Sequence, residues 1–357
     1  MLTRRKHQKR TVQRRFVGLL ILLALVAGCS SNPLDSAPPT IEAARPAVSP
    51  PVSQDPAGTV RPLAGHAAAT LFDDGTHQLA VLAPSENAAD LRAPASITVF
   101  GQGQVAPRVI ALPGPTSALT GDGHGKAYLA ARGSYFVVDL ATGRTARVTV
   151  ADSASVDFTA IARRADGLLV LGSADGAVYT LASPPDGTDT AVVKSRKKIF
   201  AKVDWLVTQG NTIVVLDRGQ TSVTTIGADG RAAQSLRAGQ GATTMVADPV
   251  GRVLVADTRG DELLVYGVDP LILRQAYPVR QAPYGLAGSR DLAWVSQTAS
   301  NMVIGYDLST GIPVEKVRYP TVQQPNSLAF DEASGTLYVV SGSGAGVQVI
   351  EHAAGPR

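Results

Sequence analysis

Residues 252–269 read RVLVADTRGDELLVYGVD. An apolar run, 253–256, meets a polar, glycine-containing joint from Asp257 to Asp261, and a second apolar run, 263–266, closes on a Gly/Asp turn. Two runs of strand length around a tight polar joint predict a β-hairpin. The pattern returns as LAWVSQTASNMVIGYDLSTG (292–311) and TLYVVSGSGAGVQVIE (336–351), and in weaker form over 212–230, 168–182 and 127–143. Aligned on the middle of the first run, the repeats are anchored at Val81, Tyr128, Val170, Val214, Leu254, Trp294 and Tyr338, with spacings of 47, 42, 44, 40, 40 and 44 residues. All-strand units of this period imply an all-β, seven-bladed β-propeller of four-stranded blades, expected over 59–352 with a disordered tail at 353–357. The last unit ends after its third strand, so its fourth is expected from an N-terminal strand at 59–63. Such pairing closes the ring and removes two open sheet edges.

Composition agrees, with 45% hydrophobic residues, 35 Gly and 23 Pro. The formal net charge of +4 misleads. Seven of the 33 Lys and Arg lie in residues 1–28 beside no acidic residue, and the remaining 26 face 29 Asp and Glu. The body of the chain is therefore slightly acidic, and no nucleic-acid partner is expected.

Those first 28 residues are a basic stretch followed by the thirteen-residue apolar run 16–28, ending in Leu25-Val26-Ala27-Gly28-Cys29. The run is too short to span a bilayer comfortably and suits a signal peptide. Its end resembles the bacterial lipobox, which implies that Cys29 receives a diacylglyceryl group and becomes the first mature residue. Cys29 is the only cysteine in the sequence, which excludes a disulfide within the chain and a cysteine metal site. Two acyl chains suffice for stable anchoring, so the expected location is the extracytoplasmic face of a bacterial cell membrane, with no cofactor beyond that lipid. Residues 29–58 carry seven prolines and are expected to form a disordered or polyproline-II leash.

The repeats TLYVVSGSGAGVQVIE and LAWVSQTASNMVIGYDLSTG resemble those of YVTN/YncE-like seven-bladed propellers, with Tyr338 and Trp294 in the place of the leading aromatic. Together with the lipobox and Pro-rich segment, the chain resembles actinobacterial propeller lipoproteins of the mycobacterial LppL group. The resemblance implies a fold and an envelope location, and it leaves activity open.

Candidate chemistry is sparse. His66, His77, His124 and His352 lie in no paired metal spacing. Gly121-Asp122-Gly123-His124-Gly125-Lys126 aligns with the Gly/Asp turns at 165–167, 248–251 and 331–335, and reads as a turn. No GxSxG elbow is present. Arg259-Gly260-Asp261 is an RGD tripeptide whose Gly and Asp the turn explains. The expected role is a non-catalytic binding or scaffold module for an envelope protein or glycan. The alternative is a calcium-dependent lactonase-like hydrolase with its site in the central channel, where Asn326 and Asp157 are candidate polar groups. A ligand is expected on the face that carries the loops from second to third strands and from blade to blade. There the sequence places Trp205, Asp217, Arg218, Asp257, Arg259, Asp261, Tyr284 and Asn326, a mixture of charges and aromatics suited to a polar partner.

Overall fold

The computed structural model describes residues 38–84, 93–101, 103, 106–116, 118–182 and 188–355. The chain divides into two units, Met1–Pro38 and Pro39–Arg357. The expected signal segment and Cys29 thus lie outside the described residues.

Among the described residues, seven antiparallel sheets follow one another. Blade 1 takes Ala69–Asp73, Gln78–Ala83, Ser96–Phe100 and Arg108–Ala111; blade 2 takes Ala118–Gly121, Lys126–Ala131, Ser134–Asp139 and Thr145–Val150. Blade 3 takes Phe158–Arg163, Leu169–Ser173, Ala177–Leu181 and Val193–Lys198; blade 4 takes Trp205–Gln209, Thr212–Asp217, Ser222–Ile226 and Ala232–Arg237. Blade 5 takes Ala242–Ala247, Arg252–Asp257, Glu262–Val268 and Leu271–Pro278; blade 6 takes Pro283–Gly288, Ala293–Gln297, Met302–Asp307 and Val314–Pro320. Blade 7 takes Pro325–Asp331, Thr336–Ser341, Val347–Ile350 and Thr59–Arg61. Every repeat anchor sits on the second strand of its blade. Blade 2 departs from the four-stranded expectation, because Thr190–Ala191 adds a short fifth strand parallel to Thr149 and Val150.

Second strands are apolar on both faces because both faces are covered. Successive side chains of a strand point to opposite sides. In blade 4, Ile213 and Val215 therefore enter the seam with blade 3, while Val214 and Leu216 enter the seam with blade 5. Each of the seven seams, including that between blades 7 and 1, holds its own apolar cluster. Trp294, with no exposed surface, fills the seam between blades 6 and 7.

The turns are stabilised by short local bonds. Asp122 accepts the amides of His124 and Lys126, and Asp248 those of Val250 and Arg252, so the GDGHGK stretch is a capped turn. In the DLATG and DLSTG turns, Asp139 accepts the amide of Thr142 and Asp307 that of Ser309. Hydrogen bonds from the amide and hydroxyl of Thr142 hold the Asp139 carboxyl below the usual range, and those from the hydroxyl and amide of Ser309 do so for Asp307. A depressed folded-state pKa contributes stability that is present above the unfolded value and lost as pH falls through the folded one. Replacing Asp139 and Asp307 by Asn should thus lower the melting temperature at neutral pH, with the gap to wild type closing below about pH 4. A gap that persists unchanged in acid would refute this account.

The ring closes as expected. Thr59, Val60 and Arg61 pair antiparallel with Val349, Gln348 and Val347. The preceding Gly58 has φ +73 and no room for a Cβ beside the Val349 carbonyl, so the approach to this pairing requires glycine. Two expectations at the chain ends are corrected. Ala353 has no exposed surface and donates its amide to Gly335, while its carbonyl accepts from the Tyr319 hydroxyl; the ordered chain runs past 352. Residues 38–58 are extended without regular secondary structure, yet they are bonded along the ring. An extended proline-rich segment makes no internal hydrogen bonds, so its carbonyls are open to side-chain donors from the blades. Removing residues 1–58 should lower the melting temperature and leave a cooperative transition. Removal through residue 64 should cost several kcal/mol more, because the edges of Val347–Ile350 and its partner strand lose their ladder. Equal stability of the two truncations, read by thermal denaturation, would show that Thr59–Arg61 is dispensable.

Candidate functional site: the strapped face and the channel mouth

Antiparallel strands alternate direction, so loops from second to third strands share one face of the ring with the loops between blades. Residues 39–57 run across this face as a strap. Ile41 donates its amide to Gly219 O at 2.8 Å. Arg218 Nη2 donates to Ala44 O, and Arg259 Nη2 to Glu42 O at 2.7 Å. Further along, Ser49 Oγ donates to Thr298 O at 2.6 Å, Asn301 Nδ2 to Pro50 O at 2.8 Å and Gln324 Nε2 to Ala47 O at 2.9 Å. Ala57 donates its amide to Pro320 O at 3.0 Å. Ala44 and Ser49 are buried. The strap spans blades 4 to 7, and the two arginines expected to meet a partner hold the chain's own backbone.

Other expected site residues are also reassigned. Asp217 and Asp257 have no exposed surface. Asp257 accepts the amides of Gln240, Gly241 and Gly260 at 2.7, 2.8 and 3.0 Å; Asp217 accepts those of Ala201, Lys202 and Gln220 at 2.8, 3.3 and 3.0 Å. Each carboxylate ends a second strand and fastens its own turn to the preceding inter-blade loop. Gly239, at φ +65, has no room for a Cβ beside the Asp257 carboxylate. Ser341 does the same work in blade 7, accepting the amides of Ser343 and Ala345 and donating to Gln323 O. The RGD tripeptide is no free tip, since Asp261 takes the amide of Ala282 at 3.0 Å. Trp205 begins the inner strand of blade 4 and packs on the cluster between blades 4 and 5. Asn326 stands in the channel wall and accepts from Gln324 Nε2 at 3.0 Å, whereas Asp157 is exposed before the inner strand of blade 3.

The channel itself has a volume of about 330 Å³ and is walled by the seven inner strands. Three of its threonine hydroxyls stitch neighbouring blades. Thr159 Oγ1 donates to Val203 O at 2.6 Å, Thr208 Oγ1 to Arg163 O at 2.7 Å and Thr244 Oγ1 to Tyr284 O. Among the described residues, no group of three or more His, Cys, Asp and Glu is placed to hold a metal ion.

Residues of the strap line a second, open cavity of about 740 Å³, which shares Asp204 with the channel wall. Glu42 and Arg45 of the strap line one side, and Lys202, Asp204, Arg218 and Tyr284 the other. Lys202 Nζ lies 3.2 Å from Asp204 Oδ1, and Asp204 Oδ2 accepts the Arg218 amide at 2.9 Å. Arg218 Nε is buried with no hydrogen-bond partner. Burial pushes the Tyr284 phenol above its usual value, and the Arg218 charge works against that rise. Of the expected residues, Asp217, Arg218 and Tyr284 border this cavity. Lys202 and Asp204 were missed, as was the strap itself; the sequence signal available was their position in the loop that leads into Trp205.

No family model and no curated protein sequence matches the chain. Solved structures match its fold. A chain of the mitotic checkpoint complex aligns with a TM-score of 0.65 at 10% identity, covering 89% of this chain and 99% of that one. A streptogramin B lyase aligns at 0.62 and 12%, covering 83% and 96%, and Staphylococcus aureus virginiamycin B lyase at 0.61 and 12%, covering 80% and 94%. At these identities the likeness is one of fold. The Asp257 assignment has a direct check: Asp257→Ala should destabilise the ring by about 3 kcal/mol, because buried amides lose their acceptor. A change in melting temperature no larger than that of an exposed control such as Asp229→Ala would overturn it.

Proposed function

We propose that this protein is a lipid-anchored propeller on the outer side of a bacterial cell membrane, binding a polar envelope ligand in the cavity beneath its strap. The observation that carries the site is the orphaned, buried Nε of Arg218 beside the Tyr284 ring. A buried donor without an acceptor is costly, and a ligand oxygen would satisfy it. Lys202, Asp204, Glu42 and Arg45 supply charges of both signs around the same space, which suits a polar partner with donors and acceptors. The anchor rests on the apolar run 16–28 and its Leu-Val-Ala-Gly-Cys end, and the resemblance to actinobacterial propeller lipoproteins supports the same location. The streptogramin and virginiamycin lyases share the ring at 12% identity, which lends this chain no activity.

Two measurements test the reading. Metabolic labelling with a fatty-acid analogue should modify the wild type and not Cys29→Ser; equal labelling would remove the anchor from the proposal. Partner capture from envelope extracts, using the unlipidated chain, should be lost on replacing Lys202 and Tyr284 together by Ala, with the melting temperature held. A partner retained at full strength by that variant would place recognition elsewhere.

A further inference from the structure

The outer strand of blade 3, Val193–Lys198, reads VKSRKK. Four of its six residues are cations, and Lys202 follows in the next loop. The other blades end in sparser strands: RVIA in blade 1, TARVTV in blade 2, AAQSLR in blade 4, LILRQAYP in blade 5 and TVR in blade 7 each carry one Arg. In blade 6, VEKVRYP sets Lys316 and Arg318 beside Glu315, and each has a carboxylate partner. One cation suffices to discourage edge-to-edge pairing of a free strand, so that requirement does not account for four.

Lys194, Arg196 and Lys198 share the exposed side of the strand, which sets them about 7 Å apart along it. Asp175 is the acid opposite them, 3.0 Å from Lys198 Nζ and 3.6 Å from Arg196 Nη2. Arg196 is held over the Tyr179 ring, with Nε donating to Tyr179 Oη at 2.9 Å. Among the described residues, no carboxylate is within ion-pair distance of Lys194 or Lys197. Val192 and Ile199, 52% and 43% exposed, stand at the two ends of the strand. The edge is a fixed row of positive charge with an aliphatic residue at either end.

Its position matters as much as its charge. The strap meets the ring with Thr40 against Gly219 and with Ile41 beside Ala201 and Lys202, in the loop that leaves this same strand. Pro39 lies ten residues after Cys29, a span of at most about 36 Å for extended chain. The first described contacts of the strap with the ring thus lie at the corner where the basic edge ends.

We propose that the outer edge of blade 3 docks on an anionic lipid bilayer and seats the ring against it. It rests on the lipid-anchor reading above for its biological setting, and on the basic row and the strap's entry point for its chemistry. Lipid phosphates would meet Lys194, Lys197 and Lys198, and Val192 and Ile199 would enter the headgroup boundary. A short tether raises the effective concentration of the surface for this edge, so weak contacts suffice.

The test uses the unlipidated mature chain, residues 30–357, which contains every blade and the closing strand. It should co-sediment with phosphatidylglycerol-containing vesicles and not with pure phosphatidylcholine vesicles, and binding should fall as salt shortens the screening length. The double substitution Lys194→Glu/Lys198→Glu should lower partition by more than about twentyfold, at about fivefold for each cation lost, without changing the melting temperature. Equal binding to both vesicles, binding to neither, or full binding by the double variant overturns the proposal. Binding of soluble polyphosphate without binding to vesicles would assign the edge to a free polyanion and overturn it as well. Fatty-acid labelling of Cys29 is read separately. Labelled protein whose unlipidated form ignores anionic vesicles keeps the anchor and loses the docking edge; unlabelled protein that binds them does the reverse.

Discussion

The structure depends on three residues pairing with the other end of the chain. Thr59, Val60 and Arg61 form the fourth strand of blade 7 beside Val347–Ile350, and without them the ring would be a stack with two open ends. Closure makes each blade a neighbour on both sides, which is why every second strand is apolar on both faces. It also accounts for a seam between blades 7 and 1, where Leu79, Val81 and Phe100 pack on Val340 and Val347. The core of this protein is accordingly divided into seven comparable seams, none of which is complete until the ends of the chain meet.

The N-terminal segment before Thr59 lies along the face shared by the inter-blade loops, where its bonds to the ring place it. It is held there by side-chain donors from four points on the ring: Arg218, Arg259, Asn301 and Gln324. A proline-rich chain suits this position, since its backbone is pre-extended and its carbonyls are unpaired. The same features that keep such a segment from folding alone let it lie flat on a polar surface. Strap residues supply one wall of a cavity on this face.

Charged residues on this face sort into two kinds, and burial separates them. Asp217 and Asp257 are structural: ending the second strands of blades 4 and 5, each carboxylate collects three amides and fixes its turn to the neighbouring loop. Lys202, Asp204 and Arg218 border open space, and there charge is available to a ligand. Thr159 and Thr208 in the channel follow the first pattern, their hydroxyls donating to backbone carbonyls beyond their own blades. A polar residue in a propeller is thus no sign of function until its partners are counted.

The blade count, the strand boundaries and the closing strand were legible in the amino-acid sequence, because they follow from a period of about forty residues and from apolar runs with turn residues at their ends. The turn role of the Gly/Asp stretch at 121–126 was legible for the same reason, being a local bond pattern. The strap was not. Residues 39–57 carry no periodicity and few large apolar groups, and their place is set by side-chain donors from residues 218 to 324 that lie far away in sequence. The site shared this fate: Asp217 and Arg218 border the same cavity, but the Asp217 carboxylate is taken up by three amides while Arg218 Nε has no partner, and only the assembled loops decide that. Local physics decided the blades, and only the assembled ring decided which of its charges face bound backbone, which face a cavity and which face solvent.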